Sequence, residues 1–101
     1  MFDITNKNIL ITGATSGIGK AAALKLSLLG ANIFFVARNQ QKAQLLVDEI
    51  SEISDKEAVP IIADLSSQAD IHSVAQVFNS FNIPLHVLLN NAGLINKERK
   101  E

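Results

Sequence analysis

The chain has 101 residues, 48% hydrophobic and 19% charged, with 9 Lys+Arg against 10 Asp+Glu. That length supports one small domain at most, and the near-balanced charge indicates neither disorder nor a polyelectrolyte partner such as nucleic acid. No cysteine is present, which excludes a disulfide framework and thiolate metal sites and fits a reducing compartment.

The first ten residues, MFDITNKNIL, carry an acidic Asp3 and lack the long apolar segment of a secretory signal. No later apolar run approaches the length that spans a bilayer, so a cytoplasmic protein without a membrane segment is the expectation. Asn8 to Thr12 is a short β-branched run ending at Gly13, as in the buried strands of parallel sheets. Ile18 to Leu29 is rich in Ala and Leu and ends at Gly30, where a helix-terminating glycine belongs. Ala31 to Ala37 is a second strand. A helix follows with Ala43, Leu46, Val47, Ile50 and Ile53 on one face and Gln44, Asp48, Glu49 and Glu52 opposite. Val59 to Ala63 reads as a third strand, with Pro60 tolerated near its start or at a sheet edge. Asp64 to Ser67 leads into a helix capped by Ser66 or Ser67, on which Ile71, Val74, Ala75, Phe78 and Phe81 share a face until Pro84 breaks it. Leu85 to Leu89 is a fourth strand, followed by Asn90-Asn91-Ala92-Gly93 and a charged tail over residues 96–101.

Strands alternating with helices imply right-handed crossovers and a parallel sheet covered on both faces, a doubly wound Rossmann-type α/β fold with strand order 3-2-1-4. Ligands of such sheets bind at the carboxyl ends of the strands. The distinctive polar motifs all fall there: the loop from Gly13 to Gly19, Arg38, Asp64, and Asn90 to Gly93.

The glycine loop TGATSGIGK, from Thr12 to Lys20, admits several readings. A nucleotide-triphosphatase loop needs four residues between its first glycine and a Gly-Lys pair, then Ser or Thr for magnesium. Here five residues separate Gly13 from Gly19, and Ala21 follows Lys20. The common G-x-G-x-x-G spacing is not matched either, because the glycines fall at 13, 17 and 19. There remains T-G-x-x-x-G-I-G, a strand-to-helix loop whose small residues let the backbone approach a pyrophosphate at a helix N-terminus, or else a plain tight turn.

This loop, together with Asn90-Asn91-Ala92-Gly93 after the fourth strand and Asp64-Leu65 after the third, resembles the short-chain dehydrogenase/reductase family from about Lys7 to about Ile95. The resemblance implies that Gly13, Gly17, Ile18 and Gly19 surround a pyrophosphate, with Thr15 and Ser16 in the same cofactor loop. It places Asp64 and Leu65 beside an adenine, and Asn91, Ala92 and Gly93 along the ribose and the back of a nicotinamide site. Two of these features have structural readings as well: Asp64 would help the following helix to start, and the Asn side chains would tie neighbouring strands together. Arg38 lies 19 residues beyond Gly19, close to where an NAD site carries its acidic residue. Ala37 leaves no carboxylate to repel a phosphate, and the Arg38 guanidinium suits one bidentately. NADP(H) is therefore expected over NAD(H), with Asn39 and Ser16 adding hydrogen bonds and Lys42 adding charge.

Enzymes of the family work with a Tyr-x-x-x-Lys pair and a Ser beyond the NNAG strand, moving hydride between nicotinamide and an alcohol or carbonyl. This chain contains no Tyr, so no catalytic residue is assigned in it. His72 and His86 belong to no nucleophile or carboxylate constellation and read as surface or packing residues, and no metal-ligand spacing is present. The expectation is a partial NADP(H)-binding domain over residues 1–95, truncated relative to the family, with residues 96–101 as a tail. It would belong to an oxidoreductase with a small alcohol or carbonyl substrate, a homo-oligomer at full length. Two rivals remain: a non-catalytic dinucleotide-binding or interaction module complete at this length, and a domain whose glycines are turns without a ligand. In the order 3-2-1-4 the apolar fourth strand is an edge, and exposed apolar edges associate. The 101-residue chain alone is thus expected to be marginally stable or to aggregate. A reversible, concentration-independent thermal transition of a monomer in calorimetry would contradict this.

Overall fold

The computed structural model describes residues 3–14, 17–64 and 68–90. Seven elements follow in the order β1 (Asn8–Thr12), α1 (Gly17–Leu28), β2 (Asn32–Ala37), α2 (Gln40–Ile53), β3 (Val59–Ile62), α3 (Gln68–Ser80) and β4 (Val87–Asn90). The four strands form one parallel sheet in the order β3-β2-β1-β4, the Rossmann-type order expected of the alternating pattern.

Alternate side chains of a strand point to opposite faces, and here that alternation builds two cores. Ile9, Ile11, Ile33, Phe35 and Ala37 pack with Ala23 of α1 and with Ala43, Leu46, Val47 and Ile50 of α2. Leu10, Phe34, Val36 and Ile61 pack on the other face with Val74 and Phe78 of α3. Because β1 is buried at every position, both sets are needed to cover it. The second core is organised around aromatic rings: Phe34 meets Phe78 edge-on at 5.2 Å, and Phe81 lies 5.6 Å and 5.9 Å from the same two rings. Such pairs add about 0.5–1.5 kcal/mol beyond the area they bury.

The first core requires close approach, and α1 meets it with small residues. Gly19, Ala23 and Ser27 are its buried positions, one helical turn apart. The helix ends in a two-bond cap, Ala31 N donating to Leu26 O (3.1 Å) and Gly30 N to Ser27 O (3.0 Å). Gly30 takes φ +96°, and a Cβ there would meet Thr5 Cγ2 at 3.3 Å, so both conformation and space call for glycine. Ahead of β1, Asp3 Oδ1 accepts from Thr5 N at 2.9 Å, and this bond holds the exposed Asp3 carboxyl below the usual carboxylate range.

Several sequence-based details change. Ile53 is 41% exposed, because α2 ends there and turns away from the core. Ala75 is exposed, since Val74 and Phe78 already cover their strip of the sheet. Pro84 does not itself stop α3: the helix closes at Ser80 and the chain turns at Asn82, whose φ is 59°. The fourth strand begins at Val87 rather than Leu85. Pro60 lies in β3, an edge strand, where its missing N–H breaks no ladder to a further neighbour among the described residues.

Leu88 pairs in register with Leu10 and is 53% exposed, the apolar edge anticipated for β4. Phe35 is completely buried, so Phe35→Ala is expected to lower stability by about 3–5 kcal/mol. Urea unfolding measures this, and a loss under about 1 kcal/mol would mean that the core closes over the hole.

Candidate functional site

The parallel register aligns the carboxyl ends of all four strands. Thr12 pairs with Val36 on one side and Asn90 on the other, while Ala37 pairs with Ile62. Each chain that leaves the sheet therefore emerges on one edge: Gly13 after β1, Arg38 and Asn39 after β2, Asp64 after β3, and Asn90 at the end of β4. Gly13, Gly17, Ile18, Gly19, Arg38, Asn39 and Asp64 are thus brought to a common side. Thr15, Ser16, Leu65, Asn91, Ala92 and Gly93, and the candidate caps Ser66 and Ser67, lie outside the described residues.

Glycines stand at both described ends of the loop after β1. Gly13 and Gly17 have φ of 65° and 62°, and a Cβ built on Gly17 would meet nothing within 4 Å. The glycine is therefore required by conformation, and the space beside it is open. Ile18 is 81% exposed, as are several other large apolar side chains of the surface. No acidic side chain occupies the first turn of α1, so no carboxylate offsets the positive end of that helix.

Lys20 clarifies what the loop does not do. Its Nζ lies 3.0 Å from Glu49 Oε1 on α2, so this lysine braces α1 against α2 instead of serving the loop. Both side chains are more than a third exposed, and pairs of that kind contribute at most about 1 kcal/mol.

At the end of β2, Asn39 caps α2, its Oδ1 accepting from Lys42 N at 2.9 Å. That bond engages the side-chain oxygen and leaves the Nδ2 amide for any further contact. Arg38 is exposed and forms no ion pair with a described carboxylate. An exposed planar cation thus stands beside the positive end of a helix. After β3, Asp64 is half-buried, and its backbone N donates to Asp70 Oδ2 at 2.7 Å. Asp70 stands in the first turn of α3 and so ties that helix to Asp64, a link nothing in the sequence pattern announces.

The sequence reading also missed a polar junction at the far end of the sheet. Asn8 N donates to His86 Nδ1 at 2.9 Å, and His86 N donates to Asn8 O at 2.9 Å. His72 is exposed. Among the described residues no group of three or more His, Cys, Asp or Glu is placed to hold a metal ion, and no helix is long and apolar enough to cross a membrane.

A glycine loop between β1 and α1, at the carboxyl edge of a parallel sheet in this order, defines a doubly wound nucleotide-binding class of protein. The family model for short chain dehydrogenases matches residues 7–101, and the chain belongs to that family of oxidoreductases. It is 38% identical over 87 residues to human polyprenol dehydrogenase, covering 85% of this chain and 26% of that protein. Among solved structures it resembles RhlG of Pseudomonas aeruginosa in an NADP active-site complex, with a TM-score of 0.77 and 33% identity over 89% of this chain and 36% of that one. It also resembles an NADH-dependent reductase complexed with NAD, with a TM-score of 0.77 and 29% identity over 87% of this chain and 36% of that one. The chain thus spans about a quarter to a third of the length of these proteins.

Gly17→Ala is expected to lower stability by about 1–2 kcal/mol through its left-handed backbone alone, because the added methyl clashes with nothing. Gly30→Ala should cost more, since Thr5 must also yield. Urea denaturation of the two variants checks the order, and equal losses would contradict it.

Proposed function

We propose that this chain supplies the dinucleotide-binding part of an NADP(H)-dependent short-chain oxidoreductase acting on an alcohol or carbonyl substrate. The observation that carries the cofactor choice is the exposed Arg38, which follows the small Ala37 and is paired with no described carboxylate. A guanidinium at the end of the second strand suits a ribose 2′-phosphate, and the start of α2 adds its dipole on the same side.

In this reading Gly13, Gly17, Ile18 and Gly19, with Thr15 and Ser16, hold the pyrophosphate against the start of α1. Arg38 and Asn39 take the 2′-phosphate, Arg38 through its fork of donors and Asn39 through Nδ2. Asp64 and Leu65 flank the adenine, and Asn91, Ala92 and Gly93 line the ribose and nicotinamide side. The open space beside Gly17 supports a ligand there, since a side chain at that position would fill it. When bound, the nicotinamide supplies hydride-transfer chemistry. The residues of this chain bind and orient it, and the domain over residues 1–95 is assigned to that task. The neighbour in complex with NADP supports this cofactor and the one in complex with NAD offers the alternative, so the choice rests on Arg38.

Arg38→Asp is expected to weaken NADPH binding by about tenfold to a hundredfold, the worth of a charge-assisted phosphate contact, and to leave NADH binding unchanged or improved. Fluorescence titration with both nucleotides measures this. Equal affinities of the unmutated chain for NADPH and NADH would overturn the proposal.

A further inference from the structure

The polar junction at the amino end of the sheet is built with unusual completeness. Asn8, only 8% exposed, opens β1 and engages every polar group it has. Its N–H donates to His86 Nδ1 (2.9 Å) and its carbonyl accepts from His86 N (2.9 Å). Its Nδ2 donates to Pro84 O (2.8 Å), and its Oδ1 accepts from Asn32 Nδ2 at the start of β2 (3.0 Å). One side chain therefore joins β1, β2 and the segment entering β4. Because the imidazole accepts through Nδ1, its ring proton sits on Nε2.

The register of β4 needs such a device. Strand register is ordinarily set by which residues are buried, because a one-residue slip turns each side chain to the other face. In β4 that signal is weak. Val87, Leu88 and Leu89 are consecutive apolar residues, so a slipped strand presents apolar side chains to both faces as before. The ladder spans four residue pairs, Ile9 with Val87 through Thr12 with Asn90, against β1 as its described neighbour. A slip would move Asn90 by about 3.3 Å along the edge where the candidate site lies.

We propose that His86 is a positioning residue: with Asn8 it fixes the register of β4 against β1, and so sets where the carboxyl end of β4 lies along the candidate cofactor edge. The consequence for the cofactor rests on the function proposed above; the clasp itself does not.

Two variants and two kinds of readout separate these claims. His86→Phe keeps a ring and removes the acceptor, whereas His86→Asn keeps an acceptor at a similar position. Nitrogen-15 spectroscopy of the unmutated chain should show Nδ1 unprotonated and Nε2 protonated. In His86→Phe, amide exchange over Val87–Asn90 should quicken about fivefold, the loss of one net hydrogen bond. NADPH affinity should fall by at least a similar factor, and His86→Asn should restore both to within about twofold of the unmutated chain. A protonated Nδ1 in the unmutated chain overturns the proposal even if His86→Phe does not fold. Unchanged exchange in His86→Phe also overturns it, as does a His86→Asn variant as impaired as His86→Phe. If the unmutated chain binds no NADPH, the cofactor reading fails, while the exchange and tautomer results still decide the clasp.

Discussion

The parallel, in-register pairing of β1 with β2 on one side and β4 on the other is the constraint on which the rest of the molecule depends. Parallel strands emerge at the same edge, so the loops that follow them collect there without any attraction between the loops themselves. β1 also has the strictest burial: every one of its residues is shielded, which demands helices on both faces. The small stripe of α1 and the apolar face of α2 meet that demand on one face, and α3 with its phenylalanine cluster meets it on the other.

At the carboxyl edge the starts of α1 and α2 stand near the exposed Arg38, with the half-buried Asp64 after β3. The start of α1 has no acidic side chain in its first turn, and the start of α2 is capped by a neutral Asn39 beside the exposed Arg38. An anion placed there replaces water instead of a carboxylate, which costs the protein little desolvation. Lys20, although written into the glycine motif, is held by Glu49 and strengthens the contact between α1 and α2. The motif's lysine is thus a bracing residue, set by the helix face it occupies.

The amino edge has the opposite character. Asn6, Asn8, Asn32, Lys56 and His86 satisfy one another and nearby backbone groups, including a 2.6 Å bond from Lys56 Nζ to Asn6 Oδ1. Satisfied networks of this kind specify geometry, because a shifted partner leaves a polar group unpaired. The sheet is in effect pinned at its amino edge.

The sequence by itself determined the class of fold, the order of the strands and the identity of the loop, because these depend on periodicities and spacings within short segments. The run of β1, the small residues of α1 and the glycines at 13, 17 and 30 carry their own local reasons. Boundaries shifted where a neighbour intervened: β4 starts at Val87 because Pro84 and His86 bond to Asn8, and Ala75 is exposed because the sheet beneath α3 is already covered. Only the tertiary structure decided that Lys20 faces Glu49, that Asp70 ties α3 to Asp64, and that His86 meets Asn8 across 78 residues of chain. Each of those bonds joins a donor and an acceptor whose separation in sequence has no period. Their meeting follows from how the strands twist and the helices settle on them in the assembled sheet, which no local pattern encodes.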